Sequence, residues 1–106
     1  MDSFELFKMI FYALDNQYDE NPNEELGDLL SSMNPFLFEG VGSAVEDVYV
    51  DFEKKFKRKF DKCTVEEGYQ FAIDYLKSLV NEAAIKAFQN VSLEDWKEAF
   101  EKKKEL

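Results

Sequence analysis

The side chains that most often carry chemistry are scarce in this chain. Its 106 residues include no histidine, which removes the commonest general base near neutral pH and the commonest metal ligand. Ser-His-Asp triads, HExxH metal sites and Cys-His dyads are excluded. Cys63, the single cysteine, stands beside Lys62 and one residue before the predicted helix cap at Thr64, where a helix dipole and a neighbouring cation favour the thiolate. Without a histidine to act as base, a lone thiol there reads as structural, and no catalytic residue is assigned. Asp15, Gln17, Asp19, Asn21 and Asn23 place oxygen atoms at every second position, as a calcium loop does. The pattern fails further on. Counted from Asp15, Glu20 stands where the loop needs glycine and Leu26 where it needs a bidentate glutamate. The stretch reads as a solvated turn between helices, and neither a metal nor a cofactor is expected.

Recognition is the chemistry that remains. The chain carries 23 acidic and 13 basic residues, a net charge of -10. That balance repels nucleic-acid phosphates and anionic lipid, so neither nucleic acid nor membrane is an expected partner. The charge is unevenly divided, with a net of -12 over residues 1–53 and +2 over 54–106. An acidic half of this kind steers a basic protein into contact, and also keeps a protein soluble. Glu24, Glu25 and Asp28 are the candidate partner-binding carboxylates. Six cations between Lys54 and Lys62 follow Glu46, Asp47 and Asp51, an order that matches the dipole of one helix. Phe36, Leu37 and Phe38, set between Pro35 and the Gly40/Gly42 pair, lie outside any helical stripe. They either plug the core or meet a partner, and Phe36 and Phe38 join the candidate partner-binding residues.

The elements that must position these residues follow from apolar spacing. Phe4, Phe7, Ile10, Phe11, Leu14 and Tyr18 recur at steps of three and four, which predicts a helix over 3–18. Asn21 can cap a second helix with Pro22 in its first turn, and that helix carries Leu26, Leu29, Leu30 and Met33 before Pro35 ends it. Ser43 and Glu46 have the spacing of a capping box for a third helix, striped by Val45, Val48, Tyr49, Phe52, Phe56 and Phe60. Thr64 and Glu67 repeat the box, and a long, central fourth helix extends to about Phe88. Ser92 caps a short fifth helix bearing Trp96, Ala99 and Phe100, after which Lys102, Lys103 and Lys104 should fray. The expected fold is all-α: a single domain over 1–106, built as a compact bundle or orthogonal array of about five helices. Its core is rich in the 11 phenylalanines.

The run Leu26-Gly27-Asp28-Leu29-Leu30-Ser31-Ser32-Met33-Asn34-Pro35-Phe36-Leu37-Phe38, with Gly42-Ser43-Ala44 and Val48-Tyr49 after it, resembles a segment of small, uncharacterised, helical bacterial proteins. The resemblance covers about a third of the chain and implies no activity or site residues. In size and acidity alone, the chain is also similar to immunity proteins that neutralise basic nuclease toxins. With no leader pattern, no long apolar run and one cysteine, a cytoplasmic location is expected. The expected function is that of a non-enzymatic protein-binding module with a basic protein as partner; the alternative is an immunity or antitoxin-like protein. Because every long apolar pattern has helical period, circular dichroism should be dominated by helix, and a spectrum dominated by strand would overturn the fold assignment.

Overall fold

Most stretches in which apolar residues repeat at helical spacing are helical, although Val45 and Phe60 lie outside the third helix whose stripe they continue. The computed structural model describes residues 1–35, 43 and 45–105, the last three as backbone only, and these form six helices and no strand. α1 (Ser3–Glu20) and α2 (Glu24–Met33) are followed by α3 (Glu46–Lys57), α4 (Val65–Ser78), α5 (Glu82–Gln89) and α6 (Leu93–Glu105). Phe36 and Phe38 lie outside the described residues.

Reciprocal side-chain caps begin three of the helices. Asp2 accepts from the Glu5 amide at 2.8 Å while its own amide donates to Glu5. Thr64 and Glu67 exchange the same two bonds, as their spacing predicts. At the start of α6 Ser92 and Asp95 do likewise. Each pair satisfies backbone donors that a helix start leaves without partners.

Other boundaries depart from the sequence expectation for identifiable reasons. Asn21 closes α1, its amide donating to the Gln17 carbonyl at 3.0 Å, and Asn23 caps α2 by accepting from the Leu26 amide at 3.1 Å. The residue before Pro22 is driven out of the α region, which ends α1 at Asn21, and Pro22 lies in the connection rather than in the first turn of α2. The Ser43–Glu46 box is not formed. Instead Val45 occupies the cap position with no side-chain bond, and the buried Ser43 hydroxyl donates to the Val45 carbonyl while accepting from the Tyr49 amide at 3.1 Å.

The long fourth helix is two helices. Leu79 ends α4, Val80 takes a φ of 54°, and Asn81 caps α5 by accepting from the Ala84 amide at 2.9 Å. The break redirects the chain: α4 packs on α5 and α6, whereas α5 also reaches α1 and α2. Neither of the two halves is central. That place belongs to α1, which packs against α2, α3, α5 and α6 and buries Leu6, Phe7, Ile10 and Leu14 completely. Residues 102–105 are helical and continue α6; the segment contains no helix breaker, and Glu98 stands four residues before Lys102, a favourable order.

Two aromatic groups hold the helices together. Phe7 of α1, Phe52 and Phe56 of α3 and Phe71 and Tyr75 of α4 form a chain of mainly edge-on rings with centroids 4.8–6.5 Å apart. Tyr49 joins it against Phe4 and Phe7. Its hydroxyl donates to Glu53 at 3.1 Å, leaving the Ser3 hydroxyl at 2.9 Å to act as donor in turn. Burial, tempered by the Ser3 bond and reinforced by Glu53, pushes the Tyr49 hydroxyl up to about 12. Tyr69, Phe88 and Trp96 join α4, α5 and α6. Their polar ends are bonded too, Trp96 Nε1 to the Val65 carbonyl at 2.9 Å and the Tyr69 hydroxyl to the Val91 carbonyl at 2.6 Å.

Val80 breaks a local rule without compensation from packing. A β-branched residue in the left-handed region carries a penalty of about 1–2 kcal/mol, and this side chain is 79% exposed. Val80→Gly should therefore raise stability by about 0.5–1 kcal/mol after allowing for the larger unfolded-state entropy of glycine. The readout is a higher urea midpoint at unchanged slope; a lower midpoint would show that Val80 makes a stabilising contact.

Candidate functional site

The turn between α1 and α2 gathers negative charge. Asp15, Asp19 and Glu20 belong to the last turns of α1, and Glu24, Glu25 and Asp28 to the first turns of α2. Asp15 is half-buried and the other five are exposed. Gly27 permits the close approach of the two helices, since a Cβ there would stand 3.1 Å from Cε2 of Tyr18. The sequence-predicted carboxylates Glu24, Glu25 and Asp28 thus lie on α2 directly after the end of α1, where Asp15 and Asp19, of the failed calcium-loop pattern, and Glu20 are also found.

The two groups of acids do not have the same physical standing. Glu24 and Glu25 occupy the first turn of α2, where the positive end of the helix dipole stabilises anions. Asp19 and Glu20 occupy the opposite pole of α1, whose last turn contains no basic residue. There the dipole opposes them, and their presence costs stability. Asp15 registers this potential: its carboxyl is held above the usual range, first by burial and then by the charge of Asp19.

Among the described residues these six acids form no ion pair. The ion pairs Lys55–Asp51 at 3.0 Å and Lys97–Glu66 at 3.2 Å lie elsewhere. Lys86 shares a small polar pocket of about 140 Å³ with Asn21 and Asn23 but pairs with none of these acids. Lys8, the one cation of residues 1–53, lies over the Phe4 ring at 4.8 Å near the start of α1.

The cations at and after the end of α3 lie towards the other end of α1, among acids that include Glu5 and Glu67. The ammonium of Met1 donates to the Cys63 carbonyl at 2.6 Å, and the Cys63 amide donates to the Met1 carbonyl at 3.0 Å. This double bond places the start of α1 beside the stretch that carries Lys57, Arg58, Lys59 and Lys62. An 18-residue helix spans about 27 Å, so the acidic corner and the basic stretch occupy opposite ends of α1. The Cys63 thiol itself is buried. Burial, only partly offset by the nearby ammonium, pushes its pKa up, which disfavours the nucleophilic thiolate.

Two depressions accompany these features. One, of about 240 Å³ between α4 and α5, is lined by Ile73, Leu76, Ile85 and Phe88 with Lys77 and Gln89, and brings no acid–base pair together. The other, of about 300 Å³ between α1 and α6, includes Glu20 of the acidic corner. Among the described residues no group of three or more Cys, Asp or Glu side chains is arranged to hold a metal ion, and no helix is long and apolar enough to cross a membrane. Comparison with protein families, curated proteins and solved structures gives no match to this chain.

Because the Asp15 carboxyl keeps its proton to higher pH when folded than when unfolded, the folded state binds more protons in that window and loses stability as pH rises through it. Asp15→Asn should abolish this component of the acid-side pH dependence. In NMR titrations Asp19→Asn should lower the Asp15 pKa part of the way to its ordinary value, burial accounting for the remainder. No change would show that Asp19 contributes nothing to the potential at Asp15.

Proposed function

We propose that the chain is a non-enzymatic, cytoplasmic protein-binding module whose acidic α1–α2 corner engages a basic protein. The observation that carries this reading is the placement of Asp19 and Glu20 where the α1 dipole opposes them and no cation in the last turn relieves them. Charges needed only for solubility could stand at helix starts or mid-face without that cost; charges retained at an unfavourable terminus point to use in recognition. The acidic corner then steers association with a basic partner. Neutralisation of a basic toxin, in the manner of an immunity or antitoxin protein, is a special case of the same physics, favoured by the same lack of ion pairs at the corner among the described residues.

The test separates stability from binding. Asp19→Asn/Glu20→Gln should raise stability by a few tenths of a kcal/mol per site while weakening capture of a basic partner. For the partner so identified, the on-rate should fall by roughly tenfold or more as salt is raised from about 0.05 to 0.5 M. A partner that binds wild type and variant equally, or with a salt-independent on-rate, would overturn the reading. If co-expression with the chain protects cells from that partner's toxicity, the partner is a toxin.

A further inference from the structure

The 300 Å³ cleft between α1 and α6 has a composition suited to one kind of side chain. Its lining is mixed: Ala13 of α1, Val91 before α6, and Trp96 and Ala99 of α6 are apolar, and Tyr12, Asn16 and Gln17 of α1 are polar. One wall is rigid, because Trp96 is 1% exposed and its indole nitrogen is tied to the Val65 carbonyl at 2.9 Å. The rim carries Glu20 at the end of α1 and Asp95 in the first turn of α6, and no cation lines the cleft. Asp95 uses one carboxylate oxygen to accept from the Ser92 amide at 3.3 Å, and its other oxygen has no hydrogen bond among the described residues. Glu20 is exposed and in no ion pair among them. Small-molecule sites occupy about 300–1,000 Å³, so a cleft at the bottom of that range takes a side chain more readily than a cofactor.

We propose that this cleft is the specificity pocket of the acidic corner and receives an arginine side chain from the basic partner. This inference rests on the reading of the corner as a protein-binding surface. The aliphatic stem of the arginine lies along Ala13, Val91 and Ala99, where its methylenes leave water. The guanidinium reaches the rim, where its planar donors meet the carboxylates of Glu20 and Asp95. Arginine fits better than lysine on two counts: its head is less strongly hydrated, and its forked donors match carboxylates at two positions. The corner as a whole supplies long-range attraction that any basic segment feels; the cleft adds a short-range preference that charge alone does not give.

The experiment titrates the full chain, labelled for NMR, with capped hexaarginine and capped hexalysine at low ionic strength. The expected result is saturable movement of the Ala13, Val91 and Ala99 methyl signals, with hexaarginine binding at least about threefold more tightly than hexalysine. Ala99→Leu fills the cleft from an exposed position without altering charge, and should weaken hexaarginine by about tenfold while barely changing hexalysine. Glu24→Gln/Glu25→Gln, away from the cleft, should weaken both peptides alike and preserve the arginine preference. Equal affinities for the two peptides, or an Ala99→Leu variant that binds hexaarginine as wild type does, would overturn the cleft while leaving the acidic corner standing. Failure of both peptides to bind would remove the corner and the cleft together.

Discussion

The ring of Phe52 fixes the relation of three helices. It lies 4.8 Å from Tyr75 and 5.1–5.5 Å from Phe7 and Phe71, in each case near edge-on, and is stacked more loosely on Tyr49 and Phe56. Edge-to-face rings add directional preference to the non-directional gain of burial, so α1, α3 and α4 are held at defined orientations. Everything at the periphery inherits that frame. With α3 anchored against α1 by rings, its cationic end is carried to the pole where Met1 and Cys63 exchange hydrogen bonds, and α1 is left to project its acidic end the other way. The electrical asymmetry of the surface thus originates in the packing of the interior.

Where the structure departs from easy local rules, the departures separate into two kinds. Val80 is strained because α4 and α5 must part company in order to cover different neighbours; the cost serves the fold. Asp19 and Glu20 oppose the dipole of their own helix, and no contact among the described residues relieves them; nothing in the fold is served. A site that burdens the folded state with no architectural return is a better guide to function than a site that is merely charged. By that criterion Glu24 and Glu25, which the sequence singles out, are the less informative members of the corner, since the start of α2 welcomes them.

Helical period made the all-α class legible, and the reciprocal caps at Thr64 and Ser92 could be read from three-residue spacing. What escaped sequence reading depends on tertiary demand. The stripe from Tyr69 to Ala87 keeps its period through Leu79 and Val80, so nothing local marks the break; only Asn81 hints at a new start, and it becomes a cap because α5 must turn towards α1 and α2. Ser43 has the spacing of a cap but is drawn into the interior, where it bonds the Tyr49 amide. The corner was half legible. Glu24, Glu25 and Asp28 follow from charge counting, whereas Asp15 and Asp19 alternate with amides in a way that mimics metal ligation until the helix is known to run through them. The cleft beside them needs α6 to lie along α1, a pairing that no spacing in the sequence encodes.

The central place of α1 has a consequence for how the molecule is made. Translation at about 5–20 residues per second delivers α1 before the residues of α5 and α6 that cover it, among them Ala84, Phe88 and Trp96, which come about seventy or more positions later and so reach the ribosome exit several seconds afterwards. For that interval a helix bearing Phe7, Ile10, Phe11 and Leu14 travels with its apolar stripe only partly covered, and α2 and α3 are the first shelter it meets. Vectorial synthesis therefore sets a kinetic hazard that the finished molecule does not display: the nascent chain is most exposed to chaperones and to self-association just before its last helices emerge.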